Sequence, residues 1–260
     1  MADLSMMMIM NLRSVARALW PIAVAATLGS ATSARAAGED AAAITAFSSA
    51  PLGEPPAAWH FATLPRKTPT RFTIVELDGK HVLKVEANDS YGNLVHGLHI
   101  QPAPRVWLAW RWRVDSLVAE ADINTRTGDD AAAKMCVSFN FDAANLPLGE
   151  RTKLSIARST TGEDVPTETL CYVWDNKLPR DTALVNAFTK RLRFIVIESG
   201  AERVGQWIAE RRDLVADYRR MFADESGGKM PEIISVMVSA DADNTHGHGL
   251  AYFEDISVGH

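Results

Sequence analysis

Val106-Trp107-Leu108-Ala109-Trp110-Arg111-Trp112-Arg113-Val114-Asp115 alternates apolar and other side chains over ten residues. Successive side chains on a strand point to opposite faces, so Val106, Leu108, Trp110, Trp112 and Val114 share one side. Ala109, Arg111, Arg113 and Asp115 share the other. No helical period fits this alternation. In Lys134–Phe141, Met135, Val137, Phe139 and Phe141 oppose Lys134, Cys136, Ser138 and Asn140. In Ile233–Asp241, Ile234, Val236, Val238 and Ala240 oppose Ser235, Met237, Ser239 and Asp241. Three strands with one apolar and one polar face predict a sheet packed on one side only. The polar side is then either a merely solvated outer surface or a concave hydrogen-bonding surface for a polar ligand such as a sugar.

Nearer the N-terminus, Arg71–Leu77 and His81–Ala87 flank Asp78-Gly79, a dipeptide that favours a two-residue hairpin turn. Further strands are predicted at Leu94–Ile100, Leu170–Trp174, Leu192–Ser199 and Leu250–Val258. One helix is predicted, with Asp213 as its N-cap and Leu214, Tyr218 and Phe222 on one stripe. Its Asp217, Arg219 and Arg220 are expected to be solvated, or the arginines to lock the helix onto the sheet. The segment Leu146–Glu168, rich in Thr, Ser, Gly and Glu, reads as a long loop. Strands in series with one late helix predict a mainly β fold, an antiparallel two-sheet sandwich.

At the N-terminus, Arg13 and Arg17 precede an apolar run, Ala18 to Leu28, and Ser33-Ala34-Arg35-Ala36 offers an Ala-x-Ala cleavage site. These are the parts of a secretory signal peptide. The run is shorter than a membrane span and broken by Pro21. The expected organisation is a leader over residues 1–36 and a single β-sandwich domain over 37–260, periplasmic or secreted. No stable membrane insertion is expected after cleavage. The leader holds three arginines and one aspartate, which leaves 24 basic and 31 acidic residues, a formal charge of −7. That balance speaks against a nucleic-acid partner. Oligomeric state is not encoded in any recognisable way. The two cysteines, Cys136 and Cys171, fall in predicted strands. An exported chain favours a disulfide between them; two buried free thiols are the alternative.

The carboxylates cluster. Asp129-Asp130 follows Gly128, Asp122 lies shortly before, and Asp241 and Asp243 stand beside Asn244 and Thr245. Such groups shape turns, bind a hard cation through oxygen, or act as the acid and base of a glycosidase. Asp129, Asp130, Asp241 and Asp243 are the catalytic candidates. Asp122, Asp241, Asp243 and Asp255 are the candidate ligands for a structural calcium; the sequence requires no cofactor. The EF-hand template is not met, because its sixth and twelfth positions here are His246 and Tyr252. His246-Gly247-His248 has no partner cluster for a closed zinc site. For a carbohydrate, Arg111, Arg113, Asn140 and Asp241 offer hydrogen bonds, and Trp107 and Trp174 offer stacking faces. No phosphate-binding loop, nucleophile elbow or His-Glu-x-x-His motif is present.

Several motifs recur in one order: Leu108-Ala109-Trp110-Arg111-Trp112-Arg113-Val114, Ala121-Asp122, Gly128-Asp129-Asp130-Ala131-Ala132-Ala133 and Leu170-Cys171-Tyr172-Val173-Trp174. They continue with Ile197-Glu198-Ser199-Gly200, Ala216–Phe222, Asp241-Ala242-Asp243-Asn244-Thr245 and Tyr252-Phe253-Glu254-Asp255-Ile256. From about Phe47 to Val258 the chain resembles a bacterial exported family known as domain of unknown function 3047, DUF3047. Cys136 and Cys171 depart from that pattern, as does the length of the 146–168 segment. The two ends more loosely resemble jelly-roll sandwiches of the galactose-binding type, and that resemblance implies carbohydrate binding and a structural calcium. The expected function is recognition of a polar, carbohydrate-type ligand. The alternatives are a glycan hydrolase or lyase using paired aspartates, and a non-catalytic envelope scaffold.

Overall fold

The structure, a computed structural model, describes residues 44–161 and 164–260; the leader expected at 1–36 lies outside them. The strand read as Val106–Asp115 is β5 (Trp107–Ser116), and its apolar face is buried. It belongs to the smaller of two sheets, ordered β10-β5-β12-β3-β2 with β13 also paired to β5. Those strands are β2 (Arg71–Leu77), β3 (Lys80–Asn88), β10 (Ile208–Asp213), β12 (His248–Phe253) and β13 (Ser257–Gly259). Asp78 and Gly79 join β2 to β3 with φ of 53° and 73°. Two positive φ values are what a tight primed hairpin turn requires.

The larger sheet runs β1-β4-β11-β6-β7-β9-β8. Its strands are β1 (Trp59–Ala62), β4 (Tyr91–Ile100), β6 (Ala131–Phe139), β7 (Glu168–Asp175), β8 (Ala183–Val185), β9 (Leu192–Ser199) and β11 (Ile233–Asp241). Pairing is antiparallel except between β7 and β9, which are parallel. Between the sheets, Trp112 of β5 packs at 5.8 Å on Trp174 of β7, and Trp110 at 5.4 Å on Tyr172. Burying side chains of this size contributes about 1.5–3 kcal/mol each. The alternation in β11 breaks at a bulge between Ile233 and Ser235. Ile233, rather than Ile234, therefore joins Val236 and Val238 in the core.

The expected helix is α2 (Leu214–Ser226). Asp213 caps it by accepting from the amides of Val215 and Ala216, both at 3.1 Å. Tyr218 and Phe222 stack on each other and pack against Phe139. Asp217 is not solvated: it is buried and accepts from Tyr172 Oη at 2.7 Å and Arg212 Nη2 at 2.7 Å. Arg220 does lock the helix to the sheet side, through Asp181. The segment 146–168 is not a loop. It holds a second helix, α1 (Leu148–Thr161), whose only buried residue is Leu154. A helix with so small an apolar contact leaves almost no periodic trace in sequence.

Candidate functional site

The outer face of the larger sheet carries the polar side chains of β4, β6, β7 and β11. They are not washed by solvent as an ordinary outer sheet would be. Helix α1 and the segments 62–67 and 185–191 rise around them and leave a groove of about 1320 Å³. Its floor includes Asn93, Lys134, Thr169, Ser235 and Asp241, with Asn140 toward one side. The Cys136–Cys171 disulfide also lies there, joining directly paired residues of β6 and β7 with Cα atoms 4.0 Å apart. Phe188, 52% exposed, stands at the wall with the Arg126 guanidinium 5.2 Å from its ring centre.

At one part of this floor sits a charged network. Asp241 ends β11 and is buried; its Oδ2 accepts from Lys134 Nζ at 2.6 Å and its Oδ1 from the Ala131 amide at 2.8 Å. The β6–β11 register places Lys134 opposite Ser239, one turn of the pleat from Asp241. Asp129 accepts from Asn186 Nδ2 at 2.5 Å, and Asp243 is paired with Lys67. Asp130 accepts from the amides of Asn244 and Thr245 at 3.2 and 2.7 Å and from their side chains, so it fixes the turn after β11. Asp130, Asp241 and Asp243 bring one oxygen each within 4.8 Å of one another. Among the described residues no other such group of His, Cys, Asp or Glu is present.

Burial pushes the Asp241 carboxyl up to about 6, with Lys134 opposing and Asp130 and Asp129 adding to the rise. Burial also raises Asp129. For Lys134 burial works against the charge, but Asp241 and Asp129 outweigh it and raise its pKa. Two further carboxyls are pushed up to about 7, Glu168 by burial with Glu225 adding, and Glu210 by burial with Glu198 adding. Between its unfolded and its folded pKa, each of Asp241, Glu168 and Glu210 holds a proton in the folded chain that the unfolded chain releases. Stability contributed in this way is present at low pH and is lost as pH rises from about 4 through about 7. The melting temperature is therefore expected to be higher near pH 5 than near pH 8, by about 5 °C or more. A scan that is flat or rises over that interval contradicts these assignments.

The residues singled out from sequence do not all come together. Asp129, Asp241, Asp243 and Asn140 line the groove, and Asp130 adjoins it. Trp107, Arg111 and Arg113 are on the outer face of the smaller sheet. There the Arg211 guanidinium lies 4.0 Å from the Trp107 ring centre, Arg111 binds Glu254 at 2.8 Å and Arg113 binds Asp115 at 2.6 Å. Trp174 is in the core, 1% exposed, so its ring faces no ligand. Of the calcium candidates, Asp122 is tied to Lys177 and Asn124 and Asp255 to Ser48, away from the cluster. His246 faces Asp89 and His248 faces Glu86. Sequence reasoning missed Lys67, Asn186, Phe188 and Arg191. Lys134 carries a usable signal as the one charged residue of β6, since a charge on a buried strand demands a partner.

Comparison with curated proteins returns no match. Among solved structures, a family 11 carbohydrate-binding module of a cellulosomal cellulase from Clostridium thermocellum is 10% identical, covers 84% of this chain and 93% of its own, and has a TM-score of 0.40. The xyloglucanase domain of a type three effector from Sinorhizobium fredii, in complex with cellobiose, is 9% identical with 80% and 96% covered and a TM-score of 0.43. The K1 cleaved adhesin domain of Lys-gingipain from Porphyromonas gingivalis is 8% identical with 82% and 95% covered and a TM-score of 0.35. Over residues 57–257 the sequence matches the model of DUF3047, described as protein of unknown function, and the chain belongs to that family.

Proposed function

We propose that this is an exported protein that holds a carbohydrate chain in the groove of its larger sheet. The observation that carries the reading is the groove itself: open, elongated across several strands, and floored by amide, hydroxyl and charged groups with an exposed aromatic ring at its wall. Sugars present hydroxyl rims and apolar ring faces, and sites for them pair directed hydrogen bonds with such rings. Export is supported by the leader motif and by the Cys136–Cys171 bond, which persists in oxidising compartments. Among the described residues no helix is long and apolar enough to cross a membrane.

Hydrolysis by paired aspartates has weaker support. Asp130 and Asp241 direct their lone pairs to Asn244, Thr245, Ala131 and Lys134, which is how carboxylates shape turns and strand ends. A structural calcium at Asp130, Asp241 and Asp243 would have the right oxygen chemistry. It would share Asp241 with Lys134 and Asp243 with Lys67, which holds Oδ2 and leaves Oδ1 buried without a partner.

Thermal shift of the purified protein against neutral and acidic glycans tests the reading. A ligand at about 100 times its dissociation constant stabilises by about 2.7 kcal/mol. Phe188→Ala and Asn140→Ala, both at exposed positions, are expected to weaken that ligand about tenfold, the value of one aromatic or hydrogen-bonding contact. A flat panel, or variants that bind as well as the parent, would sink the carbohydrate reading.

A further inference from the structure

The strand register sets the floor of the groove out in rows. Val95 of β4 pairs with Met237 of β11, Met237 with Cys136 of β6, Cys136 with Cys171 of β7, and Cys171 with Phe194 of β9. Residues paired in this way point to the same face of a sheet. All five line the groove, and none carries a charge. Val95 and Met237 are half-buried, while the disulfide and Phe194 are more covered. Neighbouring strands lie about 4.8 Å apart, so five of them make an apolar row about 19 Å long.

Polar rows flank it, each two residues along the strands. On one side Asn93, Ser239 and Lys134 pair across β4, β11 and β6. On the other side Ser235, Ser138 and Thr169 pair across β11, β6 and β7. Ser138 is covered and bonded to Thr169, which leaves Ser235 and Thr169 to line the groove. The hydroxyls of Ser235 and Ser239 bond to no described residue and keep accessible surface. Asn93 gives its Nδ2 to Tyr91 Oη at 3.2 Å and has its Oδ1 unused.

The floor is therefore an apolar strip between two hydrogen-bonding edges. Ser235 and Ser239 are four residues apart on an extended strand, about 13–14 Å. A hydrogen bond of about 2.8 Å at each edge leaves about 8 Å, the width of one pyranose ring with its hydroxyls. A glycan chain fits such a strip when its ring faces stay in one plane. Equatorial linkages achieve this: the faces carry C–H groups and the hydroxyls project from both edges. Axial linkages turn each ring against the next and lift alternate faces off a flat floor.

We infer that the groove reads a single, equatorially linked glycan ribbon lying across the strands. Its ring faces rest on the row of Val95, Met237 and the disulfide, and its hydroxyl edges meet Asn93 and Ser239 on one side and Ser235 and Thr169 on the other. This rests on the carbohydrate reading of the groove. A strip of about 19 Å takes about four rings.

The test is titration calorimetry with equatorially (β-1,4) linked oligosaccharides of glucose, mannose, xylose and N-acetylglucosamine, and with the axially (α-1,4) linked series of glucose. The best equatorially linked hexasaccharide is expected to bind at least about tenfold more tightly than the axially linked one, the value of one or two lost contacts. Its affinity should rise from disaccharide to tetrasaccharide and then level off. Met237→Gln keeps the length of the side chain but puts an amide in the strip, and is expected to weaken that ligand about tenfold. Should that variant fold poorly, Val95→Thr serves instead, with an expected loss of several fold. Equal or tighter binding of the axial series overturns this inference and leaves the carbohydrate reading standing. So does an affinity already complete at the disaccharide, or one unchanged in folded Met237→Gln and Val95→Thr. No binding by either series overturns both.

Discussion

Lys134→Met is expected to lower the unfolding free energy by about 3–5 kcal/mol, the usual cost of leaving one member of a buried ion pair alone. Methionine replaces the length of the lysine stem, so the loss is electrostatic rather than a cavity. Asp241 would keep only the Ala131 amide at 2.8 Å, in a site shared with the carboxylates of Asp129 and Asp130. Its carboxyl would then be driven further up and hold its proton into the neutral range. For a chain of this size the melting temperature should fall by about 10 °C. Denaturant titration near pH 7 measures the change. The double variant Lys134→Met, Asp241→Asn should recover most of it, because the uncompensated charge is gone. An unaltered single variant, or a double variant no better than the single, would show that the pair is not what anchors β6 to β11.

Removing the disulfide is expected to cost nearly as much. Cys136 and Cys171 are separated by 35 residues, and a closed loop of that length restricts the unfolded chain by about 4 kcal/mol. The loop contains α1, which is held to the rest of the fold by Leu154 and a few ion pairs. The variant Cys136→Ala, Cys171→Ala should therefore melt lower and become sensitive to protease first within 146–167. Equal melting of oxidised parent and variant would mean that the β6–β7 pairing holds this segment without the bond.

The sequence reveals strands where one face is buried and one is not. That condition holds for β5, whose tryptophans and arginines alternate without a break, and it holds at Asp78-Gly79 and at the Asp213 cap. It fails for β10, where Glu210 and Arg212 point inward beside Ile208 and the strand reads as charged surface. It fails for α1, whose single buried leucine gives no stripe. The bulge at Ile233 shifts one residue of β11 to the opposite face, a change that alternation alone cannot show. The acidic cluster is legible because its aspartates come in close pairs, Asp129-Asp130 and Asp241 with Asp243, which the fold brings together where β6 and β11 meet. The polar arginines of β5 were legible as a face, but not as the face of the other sheet. A sandwich has two outer surfaces, and only the covering elements, α1 and 185–191, decide which becomes a groove.

A glycan is proposed to lie on the larger sheet beneath α1, not on the arginine-rich face of β5. Hydrogen exchange of the protein with and without the glycan that gives the largest thermal shift tests this most directly. Slowed exchange is expected in α1 and in residues 185–191, with β5 and β10 unchanged. Protection confined to the strands carrying Trp107, Arg111 and Arg113 would contradict it.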